Sequence, residues 1–124
     1  MKKVTGIGGV FLKCADPAKQ REWYNKHLGI NSTEHGAIFE WLDKDSNKPG
    51  MTVLNFFKDS TKYFDPSTRE CMFNYRVENL LELLEELKKE GVQVVGEPMI
   101  ESYGKFGWIL DPEGNKIELW ESAE

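Results

Sequence analysis

From Ile7 to Cys14, the apolar residues Val10, Leu12 and Cys14 interleave with Gly9, Phe11 and Lys13. A period of two predicts a strand. Asp16-Pro17 follows as an N-cap and first helical residue. The helix it opens should run to about Leu28, with Trp23, Tyr24, His27 and Leu28 on its buried stripe and Gly29 closing it. Ala37 to Leu42 and Met51 to Phe57 read as strands, separated by a polar loop from Asp43 to Gly50. Residues 58–70 carry no period. Cys71 to Val77 is a further strand. Asn79 then caps a second helix with Glu82 as its capping-box partner, and Leu80, Leu83, Leu84 and Leu87 form the apolar stripe up to Gly91. Gln93 to Val95 reads as a short strand. Phe106 to Leu110 and Lys116 to Glu121 form a hairpin across the turn Asp111-Pro112-Glu113-Gly114-Asn115.

The order strand, helix, strands occurs twice. Gly9-Val10-Phe11 overlays Met72-Phe73-Asn74, and Leu54-Asn55-Phe56-Phe57 overlays Ile117-Glu118-Leu119-Trp120, both at an offset of 63. Phe39-Glu40-Trp41 overlays Phe106-Gly107-Trp108 at 67, with the Asp43–Gly50 loop expected to absorb the difference. An offset near half the chain length, recovered at both ends, predicts an internal duplication. The expected fold is α+β: two tandem modules, about 1–62 and 63–124, with curved antiparallel sheets enclosing a cavity and helices on the outer face. Parity puts Val10, Leu12, Leu54, Phe56, Phe73, Val77, Ile117 and Leu119 under the helices. Gly9, Phe11, Lys13, Val53, Asn55, Phe57, Met72, Asn74, Arg76, Lys116, Glu118 and Trp120 then fall on the concave face.

A length of 124 residues suits one domain with a sizeable core. Hydrophobic residues at 40% argue against a disordered chain, and no apolar run approaches the ~18 residues of a membrane span. The charge of Met1-Lys2-Lys3 suits a signal peptide, but Gly6, Gly8, Gly9 and Lys13 interrupt any apolar run behind it. A cytoplasmic protein is expected, without a membrane partner. The net charge is −5 and no basic stripe is visible, which argues against nucleic acid. Cys14 and Cys71 sit in strand-like runs and read as free buried thiols.

Phe11-Leu12-Lys13-Cys14-Ala15-Asp16-Pro17 followed by Trp23-Tyr24 and Leu28-Gly29, with the closing run from Trp108 to Leu119 built on Asp111-Pro112-Glu113-Gly114-Asn115, resembles the glyoxalase / bleomycin-resistance / dioxygenase group, or vicinal oxygen chelate superfamily. The resemblance implies paired βαβββ modules and often a homodimer. Metal enzymes of that group hold a divalent ion with His, Gln or Glu from equivalent positions of the two modules. Carried over by motif, those positions are Gly9, Asn55, Met72 and Glu118. Glycine offers no donor, thioether sulfur is soft, and Asn55 is a weak neutral oxygen ligand. Only Glu118 is a good donor, so no metal cofactor is expected, and a divalent ion is disfavoured. His27 at a helix end and His35 in a turn read as packed and solvated histidines before they read as ligands.

Glu118 is the candidate base or ligand contact. Its alternative is a carboxylate paired with Arg76, Lys13 or Lys116 on the same face. Phe11, Trp41, Asn55, Phe57, Met72, Asn74, Arg76, Trp108 and Trp120 are the candidate ligand-binding residues around it. Fifteen aromatics, some of them on the uncovered face, suit a small organic ligand. The Ser60–Pro66 segment is a candidate cover for the cavity mouth. The expected function is therefore small-molecule binding, resembling the metal-independent bleomycin-resistance branch, with ligand unknown. The alternative is a metal-dependent lyase of the glyoxalase I type, or an extradiol-type dioxygenase, with an unconventional ligand set. A third reading is an interaction module with no small ligand, its cavity filled by its own aromatics or by a partner subunit.

Overall fold

The computed structural model describes residues 3–123; Met1 and Lys2 of the signal-like start lie outside them. The chain runs β1 (Val4–Cys14), α1 (Pro17–Leu28), β2 (Ala37–Leu42), β3 (Pro49–Lys58), β4 (Cys71–Val77), α2 (Leu80–Lys89), β5 (Met99–Glu101), β6 (Gly104–Leu110) and β7 (Lys116–Ser122). All seven strands form one sheet in the order β2-β3-β1-β4-β7-β6-β5. The modules therefore join edge to edge inside one chain, through the antiparallel β1–β4 pair. The sheet is mixed rather than purely antiparallel, because β1 with β3 and β4 with β7 run parallel. Each parallel pair is linked by a crossover through its module's helix, the connection that parallel strands require. Among the described residues, no helix is long and apolar enough to cross a membrane.

The duplication is visible in the hydrogen-bond register. Phe11 pairs with Asn55, and 63 positions later Asn74 pairs with Glu118. Lys13–Phe57 recurs as Arg76–Trp120 in the same way. At the junction Phe11 faces Met72 while Gly9 faces Asn74, so the offset exchanges the two pairs. The outer strands depart from the expected overlay. Ala37 opposes Leu54, whereas Ile117 is opposed by Ile109, 72 positions beyond Ala37 rather than 67. The extra length lies mainly in the hairpin itself, whose pairing continues to Leu42 opposite Pro49 where the second module's stops at Leu110 opposite Lys116, and Trp41 is not the structural counterpart of Trp108.

The two helices cover one face unequally. In α2, Leu80, Leu83 and Leu84 are buried against Val77 and Leu119. Gly107 on β6 lets the helix sit this close, since a Cβ there would lie 2.8 Å from a Leu84 methyl. Asn79 occupies the N-cap position but its side chain makes no cap; the Leu80 N–H donates instead to Glu121 Oε1 at 2.8 Å. α1 is capped as expected, with Lys19 N–H donating to Asp16 Oδ1 and Gly29 left-handed at the end. It buries none of its residues fully, however. Trp23 and Leu28 stay more than half exposed, and Tyr24 makes the contact with Phe56. Phe73, expected beneath a helix, is exposed instead. The strand expected at Gln93–Val95 is a single bridge from Val94 to Ile109, and the edge strand forms at Met99–Glu101.

Packing sets a stability contrast. Leu84→Ala should cost about 2–5 kcal/mol by removing buried methyls from a core that collapses only partly. Leu81→Ala, on the exposed side of the same helix, should stay within about 0.5 kcal/mol. Chemical denaturation of both variants checks this.

Candidate functional site

The face opposite the helices carries the site. Residues 59–70, between β3 and β4, fold back over it instead of standing at its mouth. Phe64 from this connector is completely buried and packs with Phe11 and Met72, with Val53 and Phe57 at the edge of the cluster. Phe11 and Phe64 each meet Phe57 edge-on. The β1–β3 part of the concave face is thus an apolar floor capped by one phenylalanine, and Lys13 Nζ lies 5.2 Å from the Phe64 ring centroid.

The polar centre lies beside it. Glu118 is only 2% exposed. Its Oε1 accepts from Asn74 Nδ2 at 2.6 Å, and its Oε2 accepts from Trp108 Nε1 at 2.9 Å and from the Tyr63 hydroxyl. Strand register explains the convergence, because Asn74 and Trp108 are the direct neighbours of Glu118 on β4 and β6. The three donors are neutral, so Glu118 is satisfied without the pairing to Arg76, Lys13 or Lys116 that charge alone suggests. Lys116 instead donates to the Tyr63 carbonyl at 2.8 Å and stands over the Tyr63 and Trp108 rings. Partial burial lowers its pKa, opposed by the nearby carboxylates of Glu118 and Asp65. Gly8 leaves room for the arrangement, since a Cβ there would sit 2.2 Å from Asn74 Oδ1.

Arg76 and Trp120 form a separate group. The Arg76 guanidinium lies 4.7 Å from the Trp120 ring and 6.0 Å from Trp41, and Trp120 stacks on Phe106. Trp41 and Arg76 line a cleft of about 500 Å³ at the end of the sheet where β1 and β3 begin and β4 and β7 finish. The ten candidate residues therefore divide. Glu118, Asn74 and Trp108 form one cluster, with Phe57 at its border; Trp41, Arg76 and Trp120 form a second; Phe11 and Met72 are packed into the floor. Asn55 turns its Oδ1 to the neighbouring Phe56 N–H and joins neither polar group.

The four positions that correspond to metal donors do not assemble a cation site. Gly9 has no side chain and no space for one, with a Cβ falling 2.8 Å from the Phe11 ring. Met72 is buried among phenylalanines. Both Glu118 oxygens already accept hydrogen bonds. Among the described residues no three His, Cys, Asp or Glu side chains gather as ligands. Tyr63 is the residue that reading the chain by strands passed over. Lys62-Tyr63-Phe64 is an aromatic pair inside an otherwise polar, irregular segment, and that interruption was the available signal.

Seven strands in one curved sheet, an aromatic concave face, two outer helices and a module repeat define a fold class of paired βαβββ modules. The chain belongs to the Glyoxalase/Bleomycin resistance protein/Dioxygenase superfamily, whose family model matches residues 6–119. Solved structures carry the same fold at low identity. A methylmalonyl-CoA epimerase from Mycobacterium tuberculosis is 23% identical, with a TM-score of 0.62 over 100% of this chain and 92% of that one. A Streptomyces coelicolor methylmalonyl-CoA epimerase in complex with 2-nitronate-propionyl-CoA is 18% identical, with a TM-score of 0.70 over 98% of this chain and 99% of that one. A Legionella pneumophila protein titled NAD-dependent benzaldehyde dehydrogenase is 18% identical, with a TM-score of 0.60 over 92% and 97%. No curated protein matches the chain in sequence.

Two outcomes follow from the Glu118 cluster. Glu118→Ala strands the buried donors of Asn74 and Trp108, at about 1–3 kcal/mol each. A loss of about 2–6 kcal/mol in denaturant unfolding is expected. Burial, and then the adjacent Glu118, raise the Tyr63 pKa far above its ordinary value of 10. The folded state therefore holds a proton that the unfolded state releases, and the stabilisation is complete below pH 10 and lost as pH rises beyond it. The unfolding midpoint of the wild type should fall between about pH 9 and 11 more steeply than that of Tyr63→Phe.

Proposed function

We propose that the protein is a metal-independent small-molecule binding member of this superfamily, similar in mode to its bleomycin-resistance branch, and that its ligand occupies the concave face around Glu118. The observation that carries the reading is the state of the four donor-equivalent positions. One has no side chain, one is packed in an apolar floor, one is turned to its own backbone, and the fourth, Glu118, is engaged by three neutral donors. A catalytic metal needs about three strong protein ligands and an open position. The concave face of this chain offers instead a hydrogen-bond acceptor among Phe57, Tyr63 and Trp108, the mixture of apolar walls and few polar groups that binds organic molecules.

A metal-dependent lyase or dioxygenase is the second reading. It draws on the fold shared with proteins titled methylmalonyl-CoA epimerase, and it requires Glu118 to exchange its three donors for an ion.

Thermal unfolding of EDTA-treated protein with Ni²⁺, Zn²⁺, Mn²⁺ or Fe²⁺ separates the two. An ion that binds only the native state raises the midpoint by mass action, by roughly 2.7 kcal/mol at a hundredfold excess over its dissociation constant. The expected outcome is no rise with any of the four. A rise of several degrees with one ion, abolished by Glu118→Gln, overturns the proposal in favour of the enzyme.

A further inference from the structure

Tyr63 is held by a slot that the sheet builds without it. Its ring lies parallel to Phe57 of β3, with centroids 5.6 Å apart and planes 8° from parallel. Trp108 of β6 meets it edge-on at 6.4 Å. Lys116 of β7 places its ammonium 5.4 Å from the ring centroid. Glu118, also on β7, accepts from its hydroxyl. Each element of this slot recognises one property of a phenol: a flat face for stacking, an edge for a second ring, a cation for the π cloud, and an acceptor for the O–H. The occupant, by contrast, comes from the connector, and its side of the slot opens to solvent, with Tyr63 36% exposed. The next residue, Phe64, is fully buried and anchors the connector.

Resting on the function proposed above, we infer that the small molecule is a flat aromatic carrying a hydroxyl group, and that it binds by taking the place of the Tyr63 side chain against Phe57, Trp108 and Glu118. The chemistry of the slot selects for that class. A hydrocarbon ring leaves Glu118 one donor short in a nearly dry site, which costs more than a missing contact in water. An aromatic carboxylate brings a second negative charge against Glu118. A neutral phenol supplies the donor, and the burial that keeps Tyr63 protonated keeps such a ligand protonated as well. Phe64 holds the connector in place while Tyr63, at its solvent side, swings away. Because Tyr63 must leave first, the affinity of the wild type is reduced by the fraction of molecules in which the slot stands open.

p-Cresol, the tyrosine side chain as a free molecule, is the probe, with toluene as its hydroxyl-free counterpart, both in EDTA. Thermal midpoint and tryptophan emission are read for the wild type, Tyr63→Ala and Tyr63→Phe. p-Cresol should raise the midpoint of Tyr63→Ala and quench its emission to saturation, at least about tenfold more tightly than toluene, the factor expected for one hydrogen bond to a charged acceptor. Wild type should bind p-cresol saturably but at least tenfold more weakly than Tyr63→Ala. Tyr63→Phe, which keeps the ring and loses its hydrogen bond to Glu118, should fall between them, and it carries the test if Tyr63→Ala does not fold. Equal binding of toluene and p-cresol, no saturable response from wild type, or an affinity in Tyr63→Phe no higher than in wild type each overturns the inference. If these fail while the metal ions are also without effect, metal-independent binding stands and only the ligand class falls. A metal-induced rise that needs Glu118 removes the functional reading whatever p-cresol does.

Discussion

A carboxylate taken out of water must have its oxygens filled by donors or cations, because burying an unpaired charge costs several kcal/mol. Glu118 imposes that requirement on the concave face. Two of its donors, Asn74 and Trp108, are supplied by neighbouring strands at the same level, so the β4–β7–β6 register has to be what it is. The third comes from Tyr63, which ties the long β3–β4 connector to the sheet. The next residue, Phe64, anchors the same connector by packing on Phe11 and Met72. Residues 59–70 are thus held to the concave face at two adjacent points, one polar at Glu118 and one apolar at Phe64. The glycine at position 8 belongs to the same chain of causes, since a larger residue would push Asn74 off the carboxylate.

The pseudo-symmetry of the two modules makes the asymmetry of the site informative. The backbone equivalence is close, with Phe11–Asn55 and Asn74–Glu118 occupying matched pairs in the parallel ladders. The side chains at these positions have diverged in opposite directions. In the first module the pair is a packed phenylalanine and an asparagine turned to its own backbone; in the second it is a bonded amide and carboxylate. A symmetric two-module cradle is suited to hold something central with donors from both halves. Among the described residues, the second half presents the carboxylate, amide and indole N–H at the centre, and the first half presents mainly rings. The arrangement fits a ligand with one polar end and one flat apolar body.

Much of the fold was legible because strand and helix signals were local. β2 and β4 matched their alternating patterns to the residue, and the offset of 63 between Gly9 and Met72 is the register offset of the sheet. What escaped had non-local causes. Trp23 and Leu28 have the spacing of a buried stripe, but α1 meets the sheet mainly through Tyr24 on Phe56, and nothing in the helix sequence reports the width of the surface below. The overlay of Trp41 on Trp108 failed because the β2–β3 hairpin pairs over a longer stretch than β6–β7, a change that similarity of short motifs does not register. Of the site, Glu118 and Asn74 were placed on one face by strand parity, and Trp108 was a candidate on the adjoining strand without a parity assignment. Tyr63 was not, since a residue in an aperiodic connector has no parity, and its position depends on the bond it makes across 55 residues.

The filled centre also bears on how such a fold would be held together in the metal-independent reading proposed above. A bound ion in a two-module cradle ties the halves together by direct ligation, and binding free energy of that kind is folding free energy. When donor positions become Gly9 and Met72, that link is lost and a polar hollow would remain, costly to leave as a void in a close-packed interior. Phe64 and Tyr63 address both problems at once. Phe64 fills volume over residues of both modules, Phe11 from the first and Met72 from the second, and Tyr63 spans from Phe57 in β3 to Glu118 in β7. In the binding mode inferred above, the contact that stabilises the closed protein is also the one the ligand replaces, so tighter closure by Tyr63 would mean weaker binding. Stability and affinity are set against each other at a single hydroxyl group.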